Sequence, residues 1–175
     1  MKITILSGSP HKNGTSSLLV DYFIKGAESK GHDVFRFDAA FRKVHPCIGC
    51  EHCHTENKKC RFKDDMDELN PHLLNSDIIV FATPLYYFGM SAQLKAAIDR
   101  FYANHYNLLN SNKKTILFVT AWNNEDWKMQ SIVSQFETLN KYMGFENIGT
   151  KIAVSGAYST PSILTSLAQI VVVPS

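Results

Sequence analysis

The chain of 175 residues is 45% hydrophobic and 19% charged, with a formal net charge of +2, an ordinary globular composition long enough for a three-layer core. So small a charge makes no case for nucleic acid, and no apolar run approaches the roughly 18 residues of a membrane span. Four cysteines behind a Met1–Leu6 segment that reads as a strand and not as an export signal predict a cytoplasmic protein, its thiols serving as ligands or redox groups.

The first strand (Ile3, Ile5, Leu6) runs into residues 8–17, Gly-Ser-Pro-His-Lys-Asn-Gly-Thr-Ser-Ser. A loop of glycine and small hydroxyl residues between a strand and a helix suits a phosphate. Gly8 and Gly14 permit sharp turns, and Pro10 fixes one φ. Ser9, Thr15, Ser16 and Ser17 offer hydroxyls beside the unpaired N–H groups of a helix start, where the dipole favours an anion. No carboxylate lies between Met1 and Asp21, while Lys12 and His11 add positive charge. The plainer alternative is a turn in which Thr15 or Ser16 only caps a helix. The spacing is neither the dinucleotide G-x-G-x-x-G nor the P-loop pattern.

Beyond the loop, Leu19, Tyr22, Phe23 and Ala27 recur at helical spacing up to Gly31, and Val34–Phe37 predicts a short strand. Residues 44–65 lack apolar periodicity and hold all four cysteines. Met66–Leu74 predicts a helix and Asp77–Thr83 a fully buried strand. Ser91 is placed to cap a helix with Leu94, Ala97, Ile98 and Phe101 on its apolar face. Thr115–Thr120 predicts another buried strand. Met129, Ile132, Val133, Phe136, Leu139 and Met143 mark an amphipathic helix ended by Gly144. Lys151–Val154 predicts a last strand and Pro161 onward a last helix, with an apolar tail, Ile170–Ser175, suited to a subunit interface or to a truncated end.

Alternating strands and helices imply a parallel sheet covered on both faces. With no internal repeat and no linker, residues 1–175 read as a single domain. In such sheets ligands bind outside the carboxyl ends of the strands. There the 8–17 loop, Pro84–Gly89 and Ala121–Asp126 are predicted to meet. The second of these, Pro84-Leu85-Tyr86-Tyr87-Phe88-Gly89, holds three aromatics where polar residues are expected. Together with Trp122, such rings suit a flat ligand, and a flavin, phosphate at one end and planar ring at the other, fits; core or interface packing is the alternative.

Gly8–Ser16 resembles the GSPRKNGNT phosphate loop of the flavodoxin-like NAD(P)H-dependent FMN reductases, with His11 where arginine is common and Ser16 where threonine is frequent. Ala82–Tyr87 followed by Gln93–Arg100 is similar to their second signature. Over roughly residues 1–155 the resemblance implies a flavodoxin-like three-layer α/β sandwich, its five-stranded parallel sheet in the order 2-1-3-4-5. It also implies FMN, with Ser9, His11, Thr15, Ser16 and Ser17 on the phosphate. Pro84, Leu85, Tyr86, Tyr87, Phe88 and Gly89 would flank the isoalloxazine, Trp122 bordering it. The implied assembly is a homodimer or homotetramer.

Cys47-x2-Cys50-x2-Cys53-x6-Cys60 has four thiols in one compact loop, enough to hold a 4Fe–4S cluster. The pattern resembles the motif of the iron–sulfur flavoproteins in the same fold family, and it runs into Asp64-Asp65-Met66 as in relatives treated as plain flavin reductases. Zinc, with His45, His52 or His54 substituting, and unligated thiols or a labile disulfide stay open. The expected activity is hydride transfer from NAD(P)H, the substrate, to flavin, then electron transfer to a small acceptor such as a quinone, nitroaromatic or flavin. No catalytic side chain is assigned, because the flavin carries that chemistry. The alternatives are an iron–sulfur electron carrier to a redox protein partner such as ferredoxin, and a flavin-binding regulator or zinc-stabilised interaction module without turnover.

Overall fold

Alternate residues of every central strand face opposite ways, and each side has its own core. The computed structural model describes residues 1–55, 59–123 and 125–154; the helix expected from Pro161 and the apolar tail lie outside them. Strands β1 (Lys2–Ser7), β2 (Asp33–Asp38), β3 (Ile78–Pro84), β4 (Lys114–Ala121) and β5 (Glu146–Val154) form one sheet in the order β2-β1-β3-β4-β5. All four ladders are parallel, with Ile3 opposite Val34 and Ile78, and Ile78 opposite Lys114.

Ile3 and Ile5, Ile78, Val80 and Ala82, and Ile116 and Phe118 pack against one face of helix α1 (Thr15–Ser29) through Leu19, Val20, Phe23 and Ala27. Phe23 meets Phe118 edge-on at 5.3 Å. The intervening residues Ile79, Phe81, Leu117 and Val119 face α2 (Met66–Asn75), α3 (Ala92–Asp99) and α5 (Asp126–Met143), with Phe81 against Phe136 at 5.7 Å. The flavodoxin-like order and the three layers are those the resemblance implies.

Local signals place the helix ends. Ser91 caps α3, its Oγ accepting from Leu94 N at 3.4 Å. Helix α5 stops where Gly144 turns left-handed at φ +69°. Strand β5 is longer than its apolar pattern, beginning at Glu146 and not at Lys151. As an edge strand with a register shift near Thr115/Ile116, it leaves Glu146–Thr150 largely in contact with solvent, and polar residues suffice there. The short helix α4 (His105–Leu108) and the 3₁₀ turns at Ala39–Phe41, His52–His54 and Arg100–Asn104 lack any periodic signal. No helix among the described residues is long and apolar enough to cross a membrane.

Candidate functional site

Because the strands are parallel, the loops after β1, β3 and β4 emerge together at one edge of the sheet. They enclose a cleft of about 440 Å³. Ser9, His11, Thr15 and Ser16 line one end; Pro84, Leu85 and Tyr86 line another side; Trp122 borders it from the third loop. Eight of the twelve expected flavin-contact residues thus share one concavity.

The first loop is packed closely behind this surface. A Cβ on Gly8 would lie 2.4 Å from Ser91 Oγ and 2.7 Å from Leu94 Cβ. Only glycine lets the loop sit this close to α3. Ser91 Oγ in turn donates to the Gly8 carbonyl at 2.8 Å. The N-cap of α1 is Gly14, whose place no side chain takes as a hydrogen-bond acceptor, and its first turn contains no acidic residue. The capping alternative for Thr15 and Ser16 therefore fails. The N–H groups of Thr15, Ser16 and Ser17 have no intrahelical partner by geometry, and Gly14, Thr15 and Ser16 line the cleft with the positive end of a helix dipole behind them.

Ser16 is buried, and its hydroxyl bonds that of Thr120 at 2.6 Å, tying the helix start to the end of β4. Thr120 lines the cleft too and is absent from the sequence expectation; its signal is a hydroxyl residue at the carboxyl end of an otherwise apolar strand. Gly14 and Ala121 complete the lining.

Four expected residues do not line it. Ser17 is buried, but its hydroxyl accepts from Arg36 at 2.8 Å, which turns it toward β2. Tyr87 is 99% exposed. Phe88 rests on Trp127, ring centroids 5.6 Å apart, joining the loop after β3 to the first turn of α5. Gly89 closes the turn by exchanging two 3.1 Å hydrogen bonds with Tyr86. The turn has φ +45° at Tyr87 and +65° at Phe88, left-handed at two bulky residues, where each costs roughly 1–2 kcal/mol. Leu85, Tyr86 and Gly89 spend their N–H groups on Thr120 and on the turn itself, so any backbone donor for a ring comes from Tyr87 or Phe88.

The cleft fits FMN in donor chemistry and shape: an uncapped, carboxylate-free helix start with hydroxyls at one end, and a proline and aromatics at the other. The cysteine loop is different. Cys47 and Cys50 are exposed, Cys53 and Cys60 half-buried. Burial pushes the Cys53 thiol up; its own backbone N–H opposes this, and Cys60, Cys47 and Cys50 add to the rise. Among the described residues no three His, Cys, Asp or Glu side chains are disposed to hold a metal. The expected iron–sulfur ligand set is therefore not assembled here. Nor are the substitute ligands: His45 Nδ1 donates to the Pro46 carbonyl at 2.8 Å, and His54 Nε2 to that of Tyr102 at 3.0 Å.

The family model described as NADPH-dependent FMN reductase matches residues 1–158. The chain belongs to this family. It is similar to an iron–sulfur flavoprotein of Archaeoglobus fulgidus, 37% identical over 100 residues, covering 57% of this chain and 45% of that protein. The match spans about half the length of such curated relatives. Among solved structures, the Trp repressor binding protein of Bacillus subtilis superposes with a TM-score of 0.70 at 18% identity, covering 99% of both chains. NAD(P)H:quinone oxidoreductase from Methanothermobacter marburgensis gives 0.68 at 18% identity, over 97% of this chain and 92% of that one. At such identities these neighbours show that the FMN reductase family member has their fold.

Proposed function

We propose that the cleft binds FMN and that the protein oxidises NAD(P)H, passing the electrons to a small acceptor of the quinone, nitroaromatic or flavin class. The observation that carries this is the start of α1, which has neither a side-chain cap nor a carboxylate and opens on a cavity of about 440 Å³. A helix N-terminus so arranged is an anion site, and family membership makes a flavin phosphate the fitting anion.

In this reading the N–H groups of Thr15, Ser16 and Ser17 hold the phosphate, with hydroxyl donors at Ser9, Thr15 and Ser16. His11 stands beside it. Ser17 contributes its backbone, since its hydroxyl serves Arg36. Pro84, Leu85 and Tyr86 orient the ring, and Tyr87, Phe88 and Gly89 form the turn at its rim. Trp122, 86% exposed, covers the ring's outer edge. When bound, FMN supplies hydride acceptance from a nicotinamide and onward electron transfer. The side chains position and exclude water, and none serves as acid or base. Assembly into a homodimer or homotetramer, a cytoplasmic location and a single 1–175 unit belong to the same proposal. Under anaerobic conditions NADH or NADPH is expected to bleach the bound flavin's visible absorption; flavin that stays oxidised with both refutes the activity.

A second reading is favoured by the likeness to iron–sulfur flavoproteins: Cys47, Cys50, Cys53 and Cys60 would take up a 4Fe–4S group, making the chain an electron carrier for a redox protein. The loop would first have to bring the thiols into a ligating arrangement that this structure does not have. About four irons per chain in protein purified without air supports it, and absence of iron with rapid NAD(P)H turnover rules it out.

A further inference from the structure

The cysteine loop has no periodic structure, yet both its stems and its tip are tied to one five-residue turn. Arg100, at the end of α3, forms a bidentate pair with Asp64 at 2.6 and 3.2 Å. The two side chains are 3% and 9% exposed. Arg100 also donates to the His45 carbonyl at 2.7 Å, and Asp64 accepts from His45 N at 2.9 Å. The stem before Cys47 and the stem after Cys60 are therefore closed on one guanidinium. Phe62 packs between His45, stacked at 3.6 Å, and Arg100, 5.5 Å from its centroid. Two residues further along, Tyr102 stacks on His54 at 4.2 Å and takes its Nε2–H on the main chain. The Tyr102 hydroxyl donates to the Glu51 carboxylate at 2.8 and 2.9 Å. Glu51 holds φ +58° next to Cys50, a conformation that needs such support.

The other end of α3 is built into the cleft. Ser91 N donates to Thr83 Oγ1 at 3.0 Å and Ser91 Oγ to the Gly8 carbonyl. From Ser91 to Arg100 is about 13 Å along a helix, one rigid element joining the cleft to the cysteine loop. Arg100 Nε is buried without a hydrogen-bond partner among the described residues.

We infer that Arg100 and Tyr102 are positioning residues for the cysteine loop, Arg100 closing its stems and Tyr102 fixing its tip, so that the thiols stand at a set place relative to the cleft. The Glu51 carboxylate pushes the Tyr102 phenol up to about 12, so it remains a donor across the neutral range. The inference holds whether the thiols bind iron, zinc or nothing, because the ties are among protein atoms alone.

The test is alkylation by iodoacetamide, resolved cysteine by cysteine by mass spectrometry, on the full chain reduced and treated with EDTA. In the parent protein Cys53 reacts slowest. Arg100→Met accelerates Cys53 on the order of tenfold and Tyr102→Phe by roughly threefold, by local opening. Loss of the guanidinium withdraws positive charge from beside the thiols and by itself would slow alkylation, so acceleration reports an opened loop. The rates should be insensitive to low urea, because local opening exposes little surface. Lys95→Met, which breaks the exposed Lys95–Asp99 pair on the same helix, should leave Cys53 unchanged. If Arg100→Met does not fold, Tyr102→Phe decides alone. An unchanged Cys53 rate in the folded variants, or acceleration that climbs steeply with urea as global unfolding does, overturns the inference.

Discussion

At the scale of single residues, the start of α1 separates binding from stability. Thr15 is the first helical residue, and the first turn has no acidic side chain. Thr15→Asp places a carboxylate where the dipole welcomes it, so the apo protein should be as stable as the parent or more stable by about 0.3–1 kcal/mol. The same charge repels a flavin phosphate, so FMN binding should weaken more than about a hundredfold in a titration. Tyr87 makes a second case. Its φ of +45° and near-complete exposure mean that Tyr87→Gly relieves strain and removes little packing. Thermal unfolding should rise by about 3 °C for a chain of this size; a fall would show that the ring is held by contacts other than those described. Ser17 shows what a loop motif leaves unread. Its hydroxyl looks equivalent to that of Ser16, but the helix turns it by about 100°, toward an arginine on β2 that only the sheet order brings near.

Among elements, the buried, bidentate Asp64–Arg100 pair ties the segment before α2 to the end of α3. Burial works against the charge on Asp64, but the Arg100 fork and the N–H groups of His45 and Met66 outweigh it, holding its carboxyl below the usual range. A depressed carboxyl stabilises the fold fully above its unfolded value, about 3.9, and that contribution disappears as pH falls through the folded value. The parent's melting temperature should therefore fall steeply below about pH 4. Asp64→Asn should lose about 3–5 kcal/mol at pH 7, leaving the arginine buried and unpaired, and should show a flatter acid limb in chemical or thermal melts. Periodicity made α1, α5 and the buried strands β3 and β4 legible, because each has an apolar face repeating at 3.6 or 2 residues. It could not show the full β5 or the Arg100–Asn104 turn. The edge strand needs little apolar surface, and the turn acts through hydrogen-bond partners 34 or more residues away in sequence.

For the whole molecule, parallel topology alone brings the loops after β1, β3 and β4 to one edge, so most of the cleft was readable before any side chain was placed. Thr120 and the Phe88–Trp127 contact were not, since both depend on how neighbouring strands end. The spacing of the four cysteines left a cluster, zinc and unligated thiols all open, and it says nothing of the ion pair that closes the loop's stems; among the described residues no three metal-holding side chains come together there. The central claim, that the uncapped start of α1 and the aromatic loop after β3 together bind FMN, is met most directly by titrating FMN into the flavin-free chain and following the quenching of its fluorescence. One FMN per chain, with absorption bands near about 375 and 450 nm and with the uptake lost in Thr15→Asp, is the predicted result. Flavin that stays fully fluorescent, or that binds Thr15→Asp as tightly as the parent, would contradict it.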